Sequence, residues 1–128
     1  MKVVWFKKLD YQPASHEPPA DPAALKKVLL STDDFPDGRV RMINWARIPP
    51  KKAFAAHYHE DLTEVFIIIQ GRARITINKE TAVLKRGDAV IVPQRAIHTM
   101  RNLTDKDLIY LALGVSKTGQ GRTVVVPG

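Results

Sequence analysis

The chain contains no cysteine. That one absence removes disulfides, thiolate metal sites and cysteine nucleophiles. No apolar run approaches the roughly 20 residues needed to cross a bilayer, so no membrane partner is expected. The opening MKVVWFKKLDY holds too short an apolar run for a signal peptide, and a soluble, cytoplasmic protein is the resulting expectation. Also missing are a phosphate-cradling glycine loop, a Ser-His-Asp arrangement and the helical His-Glu-x-x-His zinc spacing, since Leu62 and Thr63 follow His59-Glu60 where a second histidine would stand. The net charge is +7, yet the positive residues are scattered as pairs (Lys7-Lys8, Lys26-Lys27, Lys51-Lys52, Lys85-Arg86) near turns and element ends. Without a basic stripe interleaved with aromatics, no nucleic-acid partner is expected, and a solvated surface or a basic mouth that draws anionic small molecules remains.

What is present is enough for a core. At 128 residues and 45% hydrophobic composition, one domain (1–128) is expected, long enough to bury roughly two-thirds of its unfolded surface. Residues 2–6 read as a short strand. Residues 11–24 carry four prolines (13, 18, 19 and 22), which predicts an ordered arm over 1–24, with Asp21-Pro22 capping one helical turn and His16 an exposed bystander remote from any site. The stretch Ser31–Gly38 is a dense turn signal. Strands are then predicted near 27–30, 40–48, 53–59, 64–70, 73–78, 81–84, 89–92, 98–102, 108–114 and 123–126. Short strands at this spacing, separated by glycine, proline and asparagine, indicate a mainly antiparallel all-β sandwich or barrel with its core over about 40–114. Val65–Ile69 and much of Leu108–Leu113 are apolar on both faces, so a second cover is needed, from the N-terminal segment or from another copy in a homodimer.

The chemistry concentrates in HYHEDLTEVFIIIQG, residues 57–71. Side chains two apart on a strand share a face, so His57 and His59 project together with roots roughly 6–7 Å apart, near enough to converge on one ion. The residues Glu60 to Thr63 make a turn of hairpin length, which predicts Glu64 opening a returning strand beside the histidines. Further on, GDAVIVPQRAIHTMRN (87–102) runs from a glycine turn through an apolar strand and a proline-led turn to His98, a third imidazole from another strand.

Here the chain resembles a small single-domain cupin. That family's first motif spaces His-x-His, Glu and Gly as His57, His59, Glu64 and Gly71 do, and its second spaces Gly, Pro, His and Asn as Gly87, Pro93, His98 and Asn102 do. The resemblance covers residues 51–102 and implies a conical double-stranded β-helix barrel. Lys51 and Arg95 stand where two motif glycines would be, which predicts altered turns there. Cupins include dioxygenases, decarboxylases, isomerases, sugar-binding regulators and storage proteins, so the resemblance selects no reaction.

Three neutral imidazoles and a carboxylate suit one divalent transition metal: manganese, iron, nickel, copper, cobalt and zinc are all admissible. Proton competition predicts metal loss as pH falls well below about 6.5. Strand parity nominates a pocket of Asn44, Ala55, Phe66, Ile68, Met100 and Tyr110, with Ala53 beside Ala55, while Asn102 reads as a turn-stabilising residue and Tyr58 faces away. Three functions follow in order: a metal-dependent enzyme of oxygenase or isomerase/lyase type acting on a small organic molecule, a non-catalytic small-molecule sensor, and a barrel in which metal adds only stability.

Overall fold

The structure, a computed structural model, describes residues 1–36, 38–117 and 122–127. Alternating apolar positions fold into β1 (Gln12–Pro13), β2 (Leu25–Ser31), β3 (Val40–Ile48), β4 (His57–His59), β5 (Thr63–Gln70), β6 (Arg72–Ile77), β7 (Glu80–Lys85), β8 (Ala89–Val92), β9 (His98–Asn102), β10 (Leu108–Val115) and β11 (Thr123–Val125). Among the described residues there is no α-helix, only two single 3-10 turns at Phe6–Lys8 and Thr32–Asp34. All pairings are antiparallel.

One sheet has the order β1-β2-β3-β10-β5-β8 and the other β11-β4-β9-β6-β7. From β3 onward the chain changes sheet at each connection except the β6–β7 hairpin, which is how a double-stranded β-helix winds. Inward positions recur every second residue, so the burial of β5 and β10 alternates along their length. Phe54, Ile48, Ile68, Ile75, Met100 and Leu108 meet between the sheets at 2% exposure or less and fill one end of the barrel. Away from them the barrel opens on a cavity whose polar lining includes Asn44, His59 and Glu64.

Several sequence expectations need correction. Residues 2–6 form no strand; Phe6 lies in a 3-10 turn and packs edge-on against Trp45, ring centroids 5.0 Å apart. Asp21-Pro22 starts no helical turn, because the Glu17 carboxylate accepts the Ala23 and Ala24 backbone N–H groups at 2.8 and 3.0 Å. The predicted turn over Ser31–Gly38 holds the Thr32–Asp34 3-10 turn, with Asp37 outside the described residues. Glu60–Thr63 is no hairpin: β4 and β5 lie in opposite sheets, so Glu64 faces the histidines across the barrel rather than beside them. Nor are the two glycine-less turns altered, for Lys51 and Arg95 adopt left-handed φ values of 63° and 65° themselves.

The second cover comes partly from the N-terminal arm. Trp45 Nε1 donates to the Tyr11 hydroxyl (3.1 Å), and Lys27 Nζ sits 3.9 Å from the Phe6 ring centroid. Beyond the arm, register places Ile43, Leu113, Val65 and Ile91 in one cross-strand row on the outer face, with Ile91 64% exposed.

Candidate metal centre

β4 and β9 pair at His57 and His98, which sets those two imidazoles side by side, and His59 follows two residues on along β4. Glu64, the second residue of β5, reaches in from the other sheet. All four side chains are buried, and one ligand atom from each lies within 4.8 Å of the others. Sequence spacing named these four residues; the structure brings them together.

Carbonyls orient two of the rings. His57 Nδ1 donates to the Ala55 carbonyl (2.7 Å) and His98 Nδ1 to the Ala96 carbonyl (3.0 Å), since a carbonyl can only accept. Both rings therefore turn an unprotonated Nε2 to the centre. His59 Nε2 donates to Glu64 Oε1 (2.7 Å), while its Nδ1 lies 3.0 Å from the Thr123 hydroxyl, which can donate or accept and so serves either tautomer. The Arg95 N–H donates to the His59 carbonyl (2.7 Å) and ties the loop before β9 to the strand bearing two ligands.

Burial, aided by the neighbouring His16 and His98, pushes His57 down to about 3, so the ring is neutral at pH 7. Burial would raise the Glu64 carboxyl, but the opposing influences, led by the hydrogen bond from His59 Nε2, outweigh it and hold the group at about 2. His98 Nε2 is 3.3 Å from Glu64 Oε1 yet off the hydrogen-bond direction, and it remains buried with no hydrogen-bond partner. An orphaned lone pair, two more imidazoles and an ionised carboxylate, all converging, fit a divalent transition ion.

The centre opens on a cavity of about 100 Å³. Of the nominated pocket residues, Asn44, Phe66 and Tyr110 line it. Ile68 and Met100 share the correct strand faces but lie deeper, in the packed end of the barrel at 1% and 0% exposure. Ala55 does not line the cavity either; its N–H donates to Glu17 and its carbonyl orients His57. Asn102 does hold a turn, bonding the Ile48 and Lys106 carbonyls and accepting from Thr104. Burial pushes the Tyr110 phenol above its ordinary value, so it keeps its proton.

Sequence reasoning missed several cavity residues, Lys26 and Thr123 among them, and misplaced His16. His16 is no remote bystander: its ring stacks on His57 at 4.1 Å and 18°, and its Nδ1 lies 3.3 Å from Glu17 Oε2. Lys26, on β2, and Thr123, on β11, enter from opposite walls. None of the three has a local signal: sheet pairing brings Lys26 and Thr123 to the site, and the fastening of the arm at Glu17 brings His16. Burial, the leading influence, lowers the Lys26 ammonium against the upward pull of Glu64. Phe54 was also overlooked; at 2% exposure it packs against His57 and His98, centroids 5.2 and 5.8 Å away.

Comparison with known proteins agrees with this architecture. A predicted oxalate decarboxylase from Thermotoga maritima superposes with a TM-score of 0.78, at 22% identity, over 90% of this chain and 99% of that one. A recombinant oxalate oxidase in complex with glycolate superposes with a TM-score of 0.69, at 16% identity, over 91% of this chain and 60% of that one. At such identities the likeness is one of fold. An uncharacterized protein, YdbB of Bacillus subtilis (strain 168), is 40% identical over 47 residues, 36% of this chain and 42% of YdbB. The chain spans less than two-thirds of the length of the curated relatives it matches. The cupin-domain model Cupin_2 matches residues 44–114, more than half of the chain and the whole of the four-residue cluster, and the protein belongs to the cupin family.

Proposed function

We propose that this cupin is a metal-dependent enzyme, of oxygenase or isomerase/lyase type, acting on a small organic molecule seated in the cavity beside His59 and Glu64. The observation that carries the reading is the convergence of four buried ligand atoms, with two of their residues, His59 and Glu64, on the wall of a cavity. Purely structural metal sites are closed, whereas catalytic ones keep an open position. The two oxalate-processing neighbours named above support the small-molecule part.

In this reading Nε2 of His57, His59 and His98 and the Glu64 carboxylate would hold the ion. Bound there, a divalent metal supplies Lewis-acid polarisation, water activation or oxygen chemistry. The chain does the remaining work. The Ala55 and Ala96 carbonyls fix two rings in the ligating tautomer. Phe54 and Phe66 keep water from the inner side of the imidazoles. The Tyr110 phenol retains its proton and offers a hydrogen-bond donor to whatever occupies the cavity.

Elemental analysis of purified protein and of His59→Ala tests the assignment. About one transition metal per chain is expected for the former and a large loss for the latter; a variant that keeps full stoichiometry removes the basis of the proposal. Dioxygen uptake with short-chain diketones, small enough for the cavity, separates the oxygenase version from the isomerase/lyase version.

We also propose that the chain forms a homodimer through the outer apolar face, whose Ile43–Leu113–Val65–Ile91 row extends past the cover given by the arm. Sedimentation at micromolar concentration should give twice the chain mass, and Val65→Glu should shift it to the monomer. A monomeric wild-type protein contradicts the proposal.

A further inference from the structure

We propose that the cavity takes a small organic anion and that Lys26 is the residue that selects it. This rests on the metal-dependent reading above and adds the charge class of the molecule bound.

Lys26 lies on β2, held between Gln12 of β1 and Ala46 of β3, so its position is set by a sheet and not by a loop. Its side chain lines the cavity on the sheet that also carries Glu64, opposite the imidazole-bearing sheet. No ion-pair partner lies within reach of its ammonium among the described residues. Lys26 feels the Glu64 charge and is partly stripped of water. An ammonium so placed gains from an incoming negative group, because desolvation strengthens the attraction.

Charge balance points the same way. Glu64 and Lys26 cancel in the metal-free cavity and the buried Glu17 carboxylate lies behind His16, so a divalent ion taken up by the cluster leaves the site with a net charge of about +1 at neutral His16. A carboxylate lodged between the ion and Lys26 Nζ reduces that excess, whereas a neutral molecule does not. Size narrows the choice further. A 150 Å³ cavity accommodates benzene, and the volume here is about 100 Å³, so a short acid with a handful of heavy atoms is favoured over a ring system. The apolar remainder of the wall, Met42, Leu62, Phe66 and Ala112, suits a short carbon chain behind the carboxylate.

Propionate and its neutral isostere propionamide test this by NMR titration, on metal-free protein and on protein loaded with diamagnetic zinc. Propionate should bind at least tenfold more tightly than propionamide in both forms. Lys26→Met should shrink that ratio below threefold, and Lys26→Arg should restore it, with thermal melting used to confirm that each variant folds. Equal affinities, no propionate binding, or a ratio unmoved by Lys26→Met would each overturn the proposal. So would discrimination that appears only with zinc and survives Lys26→Met, for the ion alone would then hold the anion. If the protein takes up no zinc while the Lys26-dependent ratio persists, the metal-dependent reading fails and the anion site stands.

Discussion

Arg95 shows how a single backbone angle serves a ligand several strands away. Its φ of 65° aims its N–H at the His59 carbonyl, and a non-glycine residue in that region costs about 1–2 kcal/mol. The side chain is exposed and enters no ion pair among the described residues. Arg95→Gly should therefore stabilise the fold by about 0.5–1 kcal/mol after the extra freedom of glycine in the unfolded chain is subtracted, a difference readable in urea denaturation. An unchanged or lower midpoint would mean that the left-handed angle carries no strain here. Gly87 is the counterpart: at φ 90° with no atom within 4 Å of an added Cβ, Gly87→Ala should destabilise through the backbone alone.

The N-terminal arm and the strand pattern show what an element's own sequence can and cannot reveal. Glu17 is the arm's fastening point: its two oxygens accept from Ala23, Ala24 and Ala55 N–H groups and approach His16. Although burial opposes ionisation, the His16 contact and the backbone donors outweigh it and lower the carboxyl. Glu17→Ala leaves buried donors without acceptors, at a cost of about 2–4 kcal/mol. Thermal melting should show that loss, and faster amide exchange at Ala24 and Ala55 should accompany it; a melt matching wild type would show the arm to be held by its apolar contacts instead.

Strands β3 and β5 to β10 were legible because period-two alternation and punctuating turns are local properties. His57, His59, Glu64 and His98 were legible for a related reason, their spacing being short enough to mark one strand–turn unit each. The run VVWF reads equally well as a strand, but strand formation needs an edge to pair with, and Phe6 finds Trp45 instead. His16 and Lys26 gave no warning, because only long-range contacts, the Glu17 fastening for one and the pairing of β2 onto β3 for the other, carry them to the cavity. Ile68 and Met100 passed the parity test and still lie too deep, since parity fixes a face and not a height along the barrel.

For the molecule as a whole, two buried ligands make stability depend on pH. His57 falls from an ordinary 6.5 to about 3 on folding, so below pH 6.5 the unfolded chain takes the proton first. Glu64 falls from 4.5 to about 2, which acts in the same direction over a lower range. Both contributions are complete at neutral pH, and the first begins to be lost below 6.5 and is gone near 3. Denaturant midpoints of metal-free protein should therefore fall steadily from pH 7 to pH 4, and a flat profile would contradict the buried neutral His57. An ion held by the cluster would be released on acidification too, as protons compete for the imidazoles.

The three imidazoles hang from one sheet and the carboxylate from the other. An ion gripped by all four would act as a rivet through both walls of the barrel, opposing the shearing or parting of the layers at the end where packed side chains are fewest. Occupancy would then be felt mechanically well beyond the cavity: amides on β4 and β5, strands that share no hydrogen bonds, would gain protection from exchange together and lose it together when a chelator draws the ion out.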